Sequence, residues 1–299
     1  MPSRAPLVVK FGGELLEDPS HLANAVSAIA SVLRNGASAP GAGVASSAID
    51  MVIVHGGGRE IDRALKVAGI ERRQVDGLRI TDEPTLDVVV SVLAGTVNTR
   101  FVAALTTAGV PAVGLTGADA ASGLCDEAPP HRAVDGRTVD LGRVGVPSDR
   151  SETRLIAILA GAGFVPVIAC IGLGTDGRLF NVNADALAGH LAARLGATRL
   201  VIAGTTAGVL DDRGATFGVL DPAAIEQLID CGAATAGMIA KLRACEHALA
   251  GGVGDVVIVD GRDRSALESA ALGKTPPHAT RLVSAVVEPE KPALQGHRK

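Results

Sequence analysis

Short, mostly apolar runs recur along the chain, and most are followed by a segment whose apolar residues fall at helical spacing. Ala5 to Phe11, Met51 to Val54, Val110 to Leu115, Phe164 to Ile171, Arg199 to Ala203 and Asp255 to Val259 read as strands. Ser20 to Leu33, Gly58 to Ala68, Glu83 to Ala108, Glu152 to Ala162, Ala184 to Leu195, Pro222 to Cys231 and Met238 to Leu249 read as helices. A strand that is apolar throughout must be covered on both faces, which flanking helices provide. The alternation therefore predicts an α/β fold with a mainly parallel sheet. Aromatic residues make up 2% of the chain, with no Trp or Tyr, so Val, Ile, Leu and Ala must fill that core.

The segments between fit this frame. Gly36 to Ala48 is small, uncharged and low in complexity, and reads as a flexible surface insertion. Cys125 to Val146 is polar, with Asp135-Gly136 as a hairpin signal, and reads as an excursion at the sheet edge. Thr175-Asp176-Gly177 reads as a second hairpin tip, and 284–299 as a frayed tail. The net charge of −4, without a long basic run, offers no footing for nucleic acid or an anionic membrane. No apolar run is read as long enough to span a bilayer. Cys125, Cys170, Cys231 and Cys245 lack metal or CxxC spacing and read as reduced thiols, so a soluble cytoplasmic protein is expected.

In open parallel sheets, ligands sit beyond the carboxyl ends of the strands. Two glycine clusters fall there, Lys10-Phe11-Gly12-Gly13 and His55-Gly56-Gly57-Gly58. Glycine lets backbone approach a ligand closely and turn N–H groups toward an anion. Lys10, at the end of an apolar strand, needs a partner or a ligand. His55 fits a backbone hydrogen-bonding role better than acid–base work. Asn181-Val182-Asn183-Ala184-Asp185 opens a helix after a hairpin. Asn183 fits an N-cap and Asp185 a favourable first-turn acid, or both belong to a site on which the lysine and glycine stretches converge. Lys241 is placed before or within the first turn of its helix, where a surface lysine is the ordinary reading and a cation is mildly unfavourable for the dipole. No GxxxxGK[ST] sequence is present. Gly172 to Gly177 matches G-x-G-x-x-G but runs into a hairpin, which argues against a dinucleotide site.

Taken in order, these stretches together with Asp76-Gly-Leu-Arg79-Ile-Thr81, Leu93-Ala-Gly-Thr-Val-Asn98, Val113-Gly-Leu115 and Gly237-Met-Ile-Ala-Lys241 resemble the amino acid kinase family, and within it the N-acetylglutamate kinases. The resemblance covers roughly residues 5 to 283. It implies a three-layer αβα sandwich with a β-hairpin excursion, in one domain over 1–283. A lobe up to about residue 180 would bind the acyl substrate, and a lobe from 181 would bind ATP. The implied reaction phosphorylates the side-chain carboxylate of N-acetyl-L-glutamate with ATP; the Arg79 and Asn181–Asp185 motifs point to this acid rather than to aspartate, carbamate or UMP.

By the same resemblance, Lys10 and Lys241 would stabilise the phosphoryl group in flight and Asp185 would hold both lysines. Arg79 and Asn181 would bind the α-carboxylate end of the substrate, in a pocket lined by Gly57 and Gly58. The N–H groups of Gly12, Gly13 and Gly57 would cradle the phosphoryl group and the attacking carboxylate. ATP would lie against Thr205 to Leu210, with Thr235 and Gly237 on the approach to Lys241. Mg²⁺ would bridge its phosphates, with no residue assigned as a metal ligand. Thr205 departs from the Asp that many relatives carry. Arginine-inhibited members have an extra N-terminal helix that builds hexamers. Few residues precede the first strand here, so a homodimer without that inhibition is expected. Competing readings are a kinase for a carrier-linked aminoadipate or glutamate, a non-catalytic sensor on the same fold, and an oxidoreductase resting on Gly172 to Gly177.

Overall fold

The computed structural model describes residues 4–35, 49–211, 213–232 and 234–284. The insertion read at 36–48 and the tail beyond 284 lie outside the described residues.

The expected strands and helices form. β1 (Leu7–Phe11) leads into α1 (Gly13–Glu17) and α2 (Pro19–Asn35), and β2 (Met51–His55) into α3 (Gly58–Val67). A small hairpin, β3 (Gln74–Val75) and β4 (Leu78–Arg79), precedes α4 (Glu83–Val90). α4 continues through a π-helical segment, Ser91–Val97, into α5 (Asn98–Thr107), and β5 (Ala112–Thr116) follows. Next come β6 (Cys125–Glu127), β7 (His131–Arg132), β8 (Thr138–Val139), β9 (Val144–Pro147) and α6 (Arg154–Gly161). β10 (Val165–Ala169), β11 (Ile171–Leu173) and β12 (Leu179–Val182) lead to α7 (Ala184–Arg194) and β13 (Arg199–Gly204). The chain ends in β14 (Val219–Leu220), α8 (Pro222–Asp230), α9 (Ala236–Ala250), β15 (Val256–Asp260), α10 (Arg264–Ala271) and β16 (Thr280–Leu282). Side chains cap many of these helices: Asp82, Asn183, Asp221, Thr235 and Asp263 each accept from a first-turn N–H.

Eight strands form the central sheet in the order β14-β16-β15-β13-β1-β2-β10-β5, parallel except where β16 meets β15. α2, α5 and α10 pack together with the sheet on one side, while α6, α7 and α9 pack on the other, giving the three-layer α/β sandwich. β1 is central and buried at every position. Its register sets Lys10 beside Val54 and Ile202, and Phe11 beside His55 and Ala203, so β1, β2 and β13 end at one level.

Three expectations are corrected. The excursion is more than a sheet-edge hairpin: β11, β12, β9 and β6 build a separate four-stranded sheet, with the β7–β8 hairpin turning at Asp135-Gly136. The run Phe164 to Ile171 is not one strand, because the chain leaves the central sheet at Cys170 and enters the small one. Glu83–Thr107 is one continuous helical rod of 25 residues, long and apolar enough by composition to cross a membrane. Leu86, Val89, Leu93, Val97, Phe101 and Leu105 nevertheless bury one face of it in the core, as a core helix of a globular domain does.

Candidate active site

The two glycine loops meet at the carboxyl ends of β1 and β2. A Cβ on Gly13 would lie 2.4 Å from the Gly57 Cα, so the backbones touch where only glycine fits. The first glycine of each cluster closes the sheet: Gly12 N–H donates to the Ala203 carbonyl at 3.0 Å, and Gly56 N–H to that of Phe11 at 3.2 Å. This corrects the expectation for Gly12, whose N–H is already committed and unavailable to a ligand. Among the described residues, the N–H groups of Gly13, Gly57 and Gly58 donate to no protein acceptor. All five glycines of the two loops line a cleft of about 280 Å³ with Lys10, Glu14, Arg79, Asn181 and Asp185. That volume suits a small acid and a phosphoryl group, not a macromolecule.

Two members of a three-charge cluster, Lys10 and Asp185, line the cleft, and the third, Lys241, reaches Asp185 from outside that lining. Lys10 Nζ lies 2.8 Å from Asp185 Oδ1, and Lys241 Nζ 3.1 Å from Asp185 Oδ2. Lys10 and Asp185 are buried, and Lys241 is half-buried. Burial alone would raise the Asp185 carboxyl, but the two ammonium groups outweigh it and hold the pKa down to about 2. Burial would likewise lower Lys10, yet the carboxylate keeps it above its ordinary value. The cluster of two ammonium groups and one carboxylate carries one net positive charge at the edge of the cleft. The open alternatives at 181–185 thus divide. Asn183 is the N-cap, accepting from Asp185 N and Ala186 N, while Asp185 turns to the lysines. Lys241 is the sixth residue of α9, not part of its first turn, so the dipole argument does not apply and the ion pair fixes its place.

Arg79 reaches the cleft from the β3–β4 hairpin. Its Nη2 pairs with Asp62 of α3 and donates to the Gly58 carbonyl at 3.2 Å. Its Nη1 is buried without a partner. A buried guanidinium N–H with no acceptor is costly unless a ligand supplies one. Asn181 donates to Thr81 Oγ1 at 3.2 Å. Glu14, from α1, sets its carboxylate against Gly12 and makes no ion pair or hydrogen bond among the described residues. Cys170 also lines the cleft, but burial pushes its thiol up to about 12, so it is inert as a nucleophile at neutral pH. No group of three or more His, Cys, Asp or Glu suited to a metal occurs among the described residues.

The cleft does not include Thr205, Leu210, Thr235 or Gly237. Thr205 follows the end of β13, and Leu210 bridges to Thr216. The Thr235 hydroxyl caps α9, and Gly237 is exposed on its first turn. Asp62, Thr81, Glu14 and Cys170 were missed as site residues. Asp62 and Glu14 do lie four and one residues beyond glycines of the two loops, which is the one local signal they offered.

Comparison with known proteins agrees with this arrangement. Residues 5–260 match the model of the amino acid kinase family. The chain is 40% identical over 264 residues to the acetylglutamate kinase of Novosphingobium aromaticivorans, covering 85% of this chain and 83% of that protein. It is 38% identical over 256 residues to the acetylglutamate kinase of Methanopyrus kandleri, covering 85% and 94%. Among solved structures it resembles the N-acetylglutamate synthase of Neisseria gonorrhoeae with coenzyme A and N-acetyl-glutamate. The TM-score is 0.76 at 25% identity, covering 95% of this chain and 60% of that one. With a family match over most of its length and relatives this similar, the chain belongs to the amino acid kinase family.

Proposed function

We propose that the protein transfers the γ-phosphoryl group of ATP to the side-chain carboxylate of N-acetyl-L-glutamate. The products are N-acetyl-L-glutamyl 5-phosphate and ADP, the second step of arginine biosynthesis. The observation that carries this reading is the Lys10–Asp185 pair in a small cleft, tied through Asp185 to Lys241, with a buried, unpartnered Arg79 N–H on the other wall. The 40% identity to an acetylglutamate kinase supports the choice of acid.

The acceptor carboxylate is ionised at pH 7, so no general base is required. The barrier lies in bringing two anions together and in spreading charge over the phosphoryl oxygens. Lys10 and Lys241 supply fixed positive charge, and Asp185 holds them apart and in place. The N–H groups of Gly13 and Gly57 are the free donors that would face the phosphoryl group or the attacking carboxylate. Arg79 takes the α-carboxylate with the N–H that has no protein partner, beside Asn181 and the Gly57-Gly58 wall.

ATP approaches from the 181–283 lobe, along Thr205 to Leu210 and past Thr235 and Gly237 toward Lys241; residues up to about 180 form the acyl-substrate lobe. Glu14, among the described residues the one cleft carboxylate not committed to an ion pair, would be the residue to hold Mg²⁺, which would supply charge to neutralise the ATP phosphates, since Asp185 is held by two lysines. A biosynthetic role of this kind fits a cytoplasmic setting. The protein acts as a homodimer in this reading. β5 ends the central sheet with no partner strand among the described residues, and Ile158 on α6 is 60% exposed. Light scattering that gives twice 30.1 kDa supports the dimer, and a monomer or hexamer overturns it. The activity is tested by ADP release with acetylglutamate, glutamate and aspartate in parallel. Turnover only with acetylglutamate is expected, and turnover with none of the three, or preferentially with another, rejects the reading.

A further inference from the structure

Three stretches that stood out in the sequence, His55 to Gly58, Leu93 to Asn98 and Val113 to Leu115, meet around one buried polar network. His55 ends β2 and is 0% exposed. Its Nδ1 lies 3.2 Å from the Gly56 carbonyl oxygen, which can only accept, so Nδ1 carries the proton. Its Nε2 faces the Asn98 amide nitrogen at 3.0 Å. The same amide nitrogen donates to the Val167 carbonyl of β10 at 2.9 Å. Turning the amide over would set its oxygen against the Val167 carbonyl. The strand therefore fixes the amide, and the amide requires Nε2 to accept. The imidazole is neutral in a single tautomer; burial pushes its pKa down to about 4, opposed by the Gly56 bond and aided by the Arg100 charge.

The surroundings hold this arrangement on every side. A Cβ on Gly114 of β5 would lie 2.2 Å from Asn98 Oδ1, so the glycine there makes room for the amide. The π-helical segment ahead of Asn98 presses Leu93 and Val97 against Gly57, within 2.7 and 3.4 Å of a Cβ built there. The Gly56 carbonyl and the Gly57 N–H belong to one planar trans peptide and point in opposite directions. Holding the carbonyl toward the buried imidazole turns the N–H toward the cleft, where it has no protein acceptor.

We propose that His55 is a positioning residue for phosphoryl transfer: oriented by Asn98, it holds the Gly56–Gly57 peptide so that the Gly57 N–H meets charge developing on the reacting oxygens. The inference rests on the cleft being the phosphoryl-transfer site. It accounts for a histidine placed beside a reaction that needs no acid or base, because its work is done through the backbone.

Long-range ¹H–¹⁵N correlation spectra of the wild-type imidazoles at pH 7 test the first half, with the His55 signal identified among the 7 histidines by its loss in His55→Phe. A neutral ring protonated on Nδ1 is expected; protonation on Nε2 overturns the proposal. Kinetics of Gly114→Ala, which displaces the Asn98 amide, and of His55→Phe, which keeps an aromatic ring without the donor, test the second. Each should lower kcat on the order of 10²-fold, as for one lost oxyanion donor, with KM for either substrate moving less than about threefold. Either folded variant with wild-type kcat overturns the proposal, as does a loss confined to KM. The tautomer is read without substrate, so a failure of the acetylglutamate reading appears in the ADP assay alone and leaves the spectra to decide.

Discussion

Asp185→Asn removes one charge and almost no volume from the floor of the cleft. The wild-type carboxylate sits 2.8 Å from one ammonium and 3.1 Å from the other. At an effective dielectric constant near 20, each contact is worth roughly 5–6 kcal/mol of gross attraction, most of it offset by the desolvation of three charges. The net loss on removing one member of such a buried cluster is about 3–5 kcal/mol. For a chain of 299 residues, an unfolding entropy of ~2.1 cal/mol/K per residue converts that to a fall in Tm of roughly 5–8 °C.

The sign of a ligand effect then separates function from mere stability. In the variant, two lysines face each other without a counter-ion, and the phosphates of a non-hydrolysable ATP analogue with Mg²⁺ supply one. The analogue should therefore raise the Tm of Asp185→Asn by more than it raises that of the wild type, while kcat drops on the order of 10²-fold or more. Differential scanning fluorimetry with and without the analogue measures this. A variant that melts within about 1 °C of the wild type and turns over normally refutes the cluster as the organising centre. A variant that melts low but gains no more from the analogue than the wild type shows that phosphates do not lie on these lysines.

Other expectations follow from the same geometry. Lys10→Ala and Lys241→Ala should each cut kcat on the order of 10²–10³-fold with modest change in KM, measured by ADP release. Arg79→Ala should mainly raise KM for acetylglutamate, by roughly 10–100-fold for a lost charge-assisted hydrogen bond, and leave KM for ATP nearly unchanged. His55 is neutral in the folded protein and has its pKa lowered from 6.5 to about 4 by burial, so unfolding takes up a proton below pH 6.5. Stability should fall by about 2 kcal/mol between pH 7 and pH 5 from this residue, with His190 shifted in the same direction. Asp185, held near 2, keeps its contribution through this range and loses it only as the pH falls from about 4 toward 2. Urea unfolding at pH 7 and pH 5 checks the first window, and a pH-independent free energy contradicts it.

What could be read from the chain divides by the range of the interactions involved. β1 and β2 were legible because a buried parallel strand writes its environment locally, as a mostly apolar run followed by glycine. The four-stranded sheet was legible only at its β11–β12 hairpin, turned at Thr175-Asp176-Gly177, because β6 and β9 are short and join it across longer sequence separations that no local pattern records. The site shows the same division. Lys10 was conspicuous because a charge ending an apolar strand demands an explanation. Lys241 looked like a surface lysine until α7 and α9 were packed together and brought it to Asp185. Gly12 and Gly13 are identical letters side by side, yet one N–H completes the central sheet and the other is free for a ligand. That difference depends on where β13 ends relative to β1, a register that lies 192 positions away in the partner pair Leu7 and Arg199. Asp62 offers locally only its closeness to the Gly58 turn and Asn98 only its place in the Leu93–Asn98 stretch, since each acts by fixing another polar group, Arg79 in one case and His55 in the other. Of the residues that would touch substrate, those chemically out of place in their own segments, such as Lys10, were thus the readable ones, while Lys241 was not. The residues that orient them sit in ordinary helical positions and become visible only when the fold supplies their partners.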